Sequence, residues 1–413
     1  MNSLRVGWFL GIRQIRRSSL WTTLLIIFIM MLTFLNLVVV NGILVGLIEG
    51  GNQANRSQYT SDVIIVTSAG ESFIERSAQL QRTLDELPQV DTYVTRHLVG
   101  ANVQANYTTR RDLTEEIDSA GTQLAGIDPE REDRITNLSS YVVEGEFLEP
   151  GDEGQIVLGA NLLQRYSANF GDSFDSLEGI YPGDRVRVQF GDVSRELTVK
   201  GIVDSKVGEV SIRAFMIDEE LRRLTGRSDQ NVNEISIREA DGYTDQDLKQ
   251  AIIASGFGDA DIRTADEAIP QFLEDIKIAF ALLGNIIGLI GLVVAVITIF
   301  IIIFINAITR KKFIGILKGI GIDSRAIEFA YIIQALFYAI LGSVLGLLLL
   351  YAFLQPFIAA NPIDFPFSDG ILSAPVGETM IRLSILLVVT AIAGYIPARM
   401  IIKKNTLDSI LGR

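Results

Sequence analysis

Long apolar runs without a single charge alternate with polar sequence in a lopsided way along this chain. No charged side chain occurs from Ser18 to Ile48, from Ile278 to Ile308, from Phe329 to Ile363 or from Leu383 to Ala398. A hydrocarbon layer ~30 Å thick takes about 20 helical residues to cross. The pattern therefore predicts four membrane helices, one before and three after a long polar stretch. The fourth run is the shortest. Arg382 and Arg399 at its ends are expected to lay their stems along the helix and carry their charges to the two interfaces. Inside the polar stretch the period changes. Asp62 to Thr67 reads as a strand, Ser72 to Leu87 as a helix burying Phe73, Leu80, Leu84 and Leu87, and Val90 to Val99 as a strand. The same grammar returns in Glu234 to Arg238, in a helix capped by Thr244 that runs through Leu248, Ile252 and Ile253, and in Asp261 to Arg263. Two such β-α-β units predict a split ferredoxin-like layer. Between them, over about residues 123–227, lie Ile156 to Gly159, Arg185 to Phe190 and Glu196 to Val203, the last two joined at Gly191-Asp192. These segments predict an inserted β-rich subdomain with a hairpin.

Charge orients the molecule. Arg5, Arg13, Arg16 and Arg17 precede the first run, Arg310, Lys311, Lys312, Lys318 and Arg325 lie between the second and third, and Arg399, Lys403, Lys404 and Arg413 end the chain. Basic residues collect in short cytoplasmic segments, so both termini are expected inside and residues about 50–275 outside, in a cytoplasmic (inner) membrane. The segment from Glu49 to Asp275 carries 43 Asp and Glu against 21 Lys and Arg. An acidic outer domain argues against nucleic acid as a partner. The expected fold is a multi-pass α-helical membrane protein with four transmembrane helices and a large α+β extracytoplasmic domain. Residues 1–50 hold an amphipathic cytoplasmic N-terminus and the first span, residues 51–272 the outer domain, and residues 273–413 the other three spans. The first run is too long for a signal-peptide core and is expected to stay as an anchor.

The residues exclude more chemistry than they offer. The chain has no cysteine and one histidine, His97, expected to be structural at the surface or half-buried. No G-x-x-x-x-G-K-[ST] phosphate loop and no G-x-S-x-G occur, and acidic clusters such as Asp241, Asp245 and Asp247 lack calcium-loop spacing. No catalytic, cofactor or metal residues are assigned, and any ATP is expected to be bound by a partner subunit. Gly42 and Gly46, Gly284 and Gly288, and Gly342 and Gly346 are each four residues apart within a span. Small residues so spaced let helices approach closely, either within one subunit or between subunits. Asn36, Asn41, Asn285, Asn306 and Gln334 in or near the spans are expected to hydrogen-bond between helices.

The loop 307–327 between the second and third spans is the most distinctive linear element. Lys311, Lys312, Phe313, Ile314, Gly315, Ile316, Leu317, Lys318 and Gly319 form a short amphipathic, basic segment. It reads either as a loop resting on lipid headgroups or as a plug for a groove on a cytoplasmic partner.

The order of parts resembles the FtsX/MacB-like superfamily of ATP-binding-cassette permeases, which includes macrolide exporters and lipoprotein-releasing permeases. Four places carry the resemblance: Phe9-Leu10-Gly11-Ile12-Arg13; Val143 to Phe147 leading to Ile156 to Ala160; Lys312 to Gly321; and Tyr395-Ile396-Pro397-Ala398-Arg399. Asn361 to Phe365, with Asp369-Gly370, is similar to the lipoprotein-releasing branch. The resemblance implies an FtsX-like permease domain over residues 273–413 and a MacB-like outer core. It also implies a coupling helix at Lys311 to Leu317 that docks on a separate ABC ATPase dimer, a second permease subunit (a copy or a relative), and contact with membrane lipid and an extracytoplasmic cargo or accessory protein. ATP-driven motion passed to the outer domain then extracts or exports a lipid, lipoprotein, peptide or drug. Phe313 stands where the family usually has an acid, and Asn405-Thr406-Leu407 where it usually has a Pro. The alternative from another class is an ATP-independent membrane-anchored sensor or scaffold.

Overall fold

A computed structural model describes residues 2–107, 117–167, 175–269, 271–365, 367–370 and 372–403; the stub Asn405 to Leu407 lies outside them. The chain forms two compact units, one of Met1–Glu49, Glu274–Asp364 and Gly370–Arg413, the other of Gly50–Leu273 and Phe365–Asp369.

The first unit is a helical bundle. Among the described residues, four helices are long and apolar enough to cross a membrane: Leu20–Thr60, Leu273–Thr309, Ser324–Ala360 and Val376–Ile402. Their shared core holds Met30, Phe34, Ile299, Ile303, Tyr331, Tyr338 and Leu386. Apolar burial gains little where the surroundings are equally apolar, so close packing has to hold such a bundle. The N-terminal helix Asn2–Arg16 supplies an instance. A Cβ added at Gly7 would lie 2.8 Å from the Ala326 carbonyl oxygen, and one at Gly11 would lie 3.1 Å from that of Ala330. Two spans contain a π turn, Asn36–Val40 in the first and Leu350–Leu354 in the third.

The second unit is built on ten strands: β1 (Val63–Val66), β2 (Val90–Gln104), β3 (Ser119–Ile127), β4 (Val142–Gly145), β5 (Gln155–Gly159), β6 (Arg185–Phe190), β7 (Val193–Val203), β8 (Arg213–Ile217), β9 (Glu234–Glu239) and β10 (Asp261–Thr264). The order β10-β1-β9-β2, antiparallel throughout, is the ferredoxin-like layer predicted from the two β-α-β units. Its helices are Ser77–Glu86 and Asp245–Ile252. Thr244 caps the second in a reciprocal box with Asp247. The first starts later than expected, because the Ile74 N–H is spent on the Val232 carbonyl and Arg76 takes a left-handed φ of 53°. Ile74 is therefore the buried anchor, while Phe73 and Leu87 are half-buried.

The β-rich segment is not a free-standing insertion. β2 pairs with β9 over Val90–Arg96, then with β3 over His97–Gln104 and with β6 at Asn102–Gln104. The pairings β2-β3-β8-β5-β7-β6 return to β2, so six strands close a ring around Val103, Leu124, Ile156, Leu158, Val188, Leu197 and Met216. The segment thus begins within β2, upstream of residue 123. Closure removes the exposed edges that would otherwise invite pairing with other chains. The β6–β7 hairpin turns at Gly191-Asp192 with Gly191 at φ 53°, a conformation open to glycine at little cost.

Candidate coupling surface

Between the second and third spans, residues Lys311–Gly319 form a separate short helix. Arg310 leaves helical geometry at φ −103°, ψ 14°, which breaks the second span from it. At the other end the Ile322 N–H reaches the Leu317 carbonyl and the Gly321 N–H that of Lys318, with Gly321 at φ 89°. This is a Schellman stop, and its left-handed residue suits glycine. Asp323 then caps the third span through the Arg325 N–H.

The helix is two-faced. Ile314, Gly315 and Leu317 are buried, and Ile314 and Leu317 join the bundle core. Lys312, Phe313, Ile316 and Gly319 lie on the opposite side and are exposed, with Ile320 following them. Phe313 is 51%, Ile316 55% and Ile320 72% exposed. Leu317 and Ile314 are thus core residues, and the outward surface runs through Lys312, Phe313, Ile316 and Ile320 instead. Lys318 turns back to donate to the Ile402 carbonyl at 3.0 Å, a cation at the last turn of the fourth span. Lys311 is half-exposed.

Five of the six spaced glycines pack against other segments of their own chain. A Cβ at Gly342 would lie 2.7 Å from Met30 Cβ and 2.9 Å from the Ile27 carbonyl oxygen. One at Gly346 would lie 2.5 Å from Phe34 Cδ1, one at Gly288 3.2 Å from Leu37 Cδ1, and one at Gly42 2.7 Å from the Ser373 carbonyl oxygen. Gly284 sits under Asn41 Oδ1 and Gly291 under Asn36 Oδ1, while Gly46 is buried. Two polar span residues depart from the expected cross-helix pairing. Gln334 donates to Tyr338 Oη one turn along its own helix, and Asn285 is exposed on the outside of the bundle. Arg382 lies in the second turn of the fourth span, and its Nη1 donates at 3.4 Å to the Leu37 carbonyl in the π turn of the first.

The second unit hides an ionic cluster that hydropathy does not announce. Arg96 on β2, Arg213 on β8, Glu234 and Ser236 on β9, Glu132 on the helix Pro129–Thr136 and Tyr59 on the π turn Arg56–Thr60 meet in one place, all of their charged groups buried. Arg213 donates to both Glu234 oxygens at 2.7 and 2.9 Å, and Tyr59 donates its hydroxyl to Glu234 at 2.8 Å. Arg96 donates to Ser236 Oγ and to the Tyr59 carbonyl, each at 3.0 Å. Both guanidiniums stand 5.1 Å from the Tyr59 ring centroid. Burial pushes the Glu234 carboxyl up, but Arg213 and then Arg96 outweigh it and hold it at about 2. Burial and the charge of Glu234 push the Tyr59 phenol up. His97 is likewise buried, against the surface or half-buried position expected for it. Its Nε2 lies 3.1 Å from Arg227 Nη1 and its Nδ1 3.6 Å from Asp218.

Residues 285–406, which hold most of the second span, the two-faced helix and the third and fourth spans, match the family model described as FtsX-like permease C-terminal. A macrolide export ATP-binding/permease protein MacB of Campylobacter fetus is 30% identical over 197 residues, 46% of this chain and 29% of that protein. A MacB 1 of Yersinia pestis is 27% identical over 195 residues, 46% and 28% of the two chains. The matches thus span less than a third of these curated relatives. The crystal structure of the periplasmic region of MacB from Actinobacillus actinomycetemcomitans aligns with 53% of this chain and 95% of its own, at 16% identity and a TM-score of 0.36. Residues 285–406 thus carry an FtsX-like permease domain, in a chain whose sequence is similar to MacB proteins over 46% of its length.

Proposed function

We propose that this chain is the membrane subunit of an ATP-driven transporter and that ATP is bound and hydrolysed by a separate ATPase dimer. The ATPase docks on the helix Lys311–Gly319, and the chain passes its motion outward to act on a lipid, lipoprotein, peptide or drug. The observation that carries this reading is the distribution of apolar side chains on that helix. Its inner face is already satisfied by the bundle, yet Phe313, Ile316 and Ile320 are left outward beside Lys312. Single exposed apolar residues are ordinary, but three in a row on a basic turn form an anchor for a partner groove. Movement of this helix pulls on the third span through Asp323 and on the fourth through Lys318 and Ile402. The helical run Leu20–Thr60 ends in the π turn whose Tyr59 enters the buried ionic cluster. That cluster suits a rigid anchor for force, since Arg96 of β2, Arg213 of β8, Glu234 of β9 and Glu132 of the helix Pro129–Thr136 form one hydrogen-bonded network with Tyr59.

A second permease subunit, a copy or a relative, is part of the proposal, and so is an orientation with both termini in the cytoplasm and residues about 50–275 outside. Asn285 supports the first, because an amide left outward among Leu282, Ile286 and Leu289 is costly in hydrocarbon unless another helix meets it.

Affinity purification of the tagged chain from its native membranes tests the docking. A phosphate-loop ATPase is expected to come with it and to be lost at least tenfold, about 1.4 kcal/mol, from Phe313→Asp/Ile316→Asp. Thermal stability should stay unchanged in that variant. Retention of the ATPase by the double variant, or its absence from the unaltered chain, sinks the reading.

A further inference from the structure

The N-terminal helix Asn2–Arg16 has three faces. Gly7, Gly11 and Gln14 are buried, the two glycines against Ala326 and Ala330 of the third span. At about 100° per residue, Leu4, Trp8, Ile12 and Ile15 share a second arc, and Arg5, Phe9, Arg13 and Arg16 a third. Leu4, Trp8 and Phe9 are exposed, Ile12 and Ile15 half-exposed, and all three arginines of the basic arc are exposed. The chain has two tryptophans, Trp8 and Trp21, and they are 60% and 85% exposed. They flank Arg13, Arg16 and Arg17, with no acidic residue before Glu49. The Arg13 guanidinium stands 6.0 Å from the Phe9 ring centroid. Leu20, Trp21, Leu24 and Leu25, all exposed, carry the apolar surface on into the first span.

An apolar arc beside one whose charges are all basic, pinned by its glycine face to a membrane bundle and running on into a lipid-facing surface, fits one surrounding. Tryptophan favours the headgroup level, and arginine without acidic neighbours favours anionic phosphate. We propose that this helix lies in the headgroup layer and binds anionic lipid. Trp8, Leu4, Ile12 and Ile15 enter the acyl boundary, while Arg13, Arg16 and Arg17 pair with lipid phosphates. The site is independent of the ATPase and of the cargo.

The two tryptophans give a direct test. The full chain carrying Trp21→Phe, so that only Trp8 emits, is reconstituted into phosphatidylcholine vesicles with phosphatidylglycerol as the minor component. Acyl-chain bromine, a contact quencher of tryptophan, is placed on one lipid or on the other. Brominated phosphatidylglycerol is expected to quench Trp8 about fivefold more per mole than brominated phosphatidylcholine, with the preference shrinking as salt is added. Adding Arg13→Gln, Arg16→Gln and Arg17→Gln should bring the preference to one while quenching by bromine on both lipids persists, which reports an inserted chain. Equal quenching by the two lipids before those changes overturns the proposal, and a preference that survives them overturns the assignment to these arginines. Quenching of Trp8 by aqueous iodide rather than by lipid bromine also overturns it, as does shielding from both, which is the mark of a protein partner.

Discussion

Arg96 and Glu132 form a two-pronged pair, with Nε donating to Oε2 at 2.9 Å and Nη2 to Oε1 at 2.7 Å. Both residues are shut away from solvent, at 1% and 0% exposure. Removing one partner leaves a charge in a medium that penalises it, whereas removing both removes the penalty too. Glu132→Gln is therefore expected to destabilise the second unit by about 3–5 kcal/mol. Arg96→Met/Glu132→Leu should cost clearly less than the single change. Hydrogen exchange of the β2 and β9 amides in the full chain measures the difference; equal losses in single and double variants contradict a paired charge.

Glu234 sets the pH window of the same cluster. Its folded carboxyl stays charged down to about 2 against an ordinary 4.5. Its contribution is thus complete above 4.5 and is lost as pH falls from there towards 2, because the unfolded chain takes up the proton first. The shift corresponds to stability on the order of 3 kcal/mol. The protection of the β9 amides, taken relative to their intrinsic exchange rate at each pH, is expected to fall across that interval in the unaltered chain. In Glu234→Gln/Arg213→Met the fall in protection should be smaller, and an identical acid profile in the two contradicts the assignment.

The sequence made the local chemistry legible and left the burial of the charged face hidden. Thr244 and Gly191-Asp192 each act through near neighbours, and each appears where the sequence predicts. The alternation in β9, with Ile235 and Ile237 on one side and Glu234 and Ser236 on the other, reads as one core face and one wet face. Yet Glu234 and Ser236 are buried, because the chain brings residues 56–60 and Pro129–Thr136 over that side. No period within β9 encodes a cover from 100 or more residues away. The short helix Lys311–Gly319 shows the same limit. Its amphipathy was plain, but which of Ile316 and Leu317 faces the bundle depends on the turn at Arg310, which sets the helix's rotation.

The span glycines are expected to differ in their tolerance of a methyl group. At Gly342 the added carbon meets Met30 Cβ and the backbone at Ile27 and Met31, none of which can rotate away. At Gly288 it meets only Leu37 Cδ1 at 3.2 Å, the end of a flexible side chain. Gly342→Ala should lower stability in detergent by about 1–3 kcal/mol. Gly288→Ala should be near neutral. Thermal denaturation of the purified chain ranks them, and a reversed order contradicts the packing described.

Asn285 separates a lipid-facing second span from one covered by another permease subunit. If a partner helix meets the amide, Asn285→Leu weakens association by about 1 kcal/mol, near fivefold. Recovery of one tagged copy by another, with dilution in detergent, reads it out. In a lipid-facing position the same change should instead raise stability and leave association untouched.

Arg382 holds the first span at its irregular turn. In Asn36–Val40 the i−4 ladder is interrupted, and the Leu37 carbonyl accepts from Arg382 Nη1, 17 residues short of the basic end of the fourth span at Arg399. A π turn is worth keeping only where something takes the carbonyls that it frees. Arg382→Met removes that donor, so the turn is expected to relax towards regular helix, rotating the part of the first span that precedes it relative to the part that follows. The energetic loss should be small, about 1 kcal/mol, because single hydrogen bonds within membranes contribute little. The geometric effect should be larger: cysteine pairs introduced at Leu37 and Arg382 flanking positions, such as Val38 with Leu386, should cross-link at a different rate in Arg382→Met. Arg382→Lys, which keeps a cation and a donor, should restore most of the original rate. Unchanged cross-linking in the Met variant means that the π turn is held by packing alone and that the arginine is incidental to it.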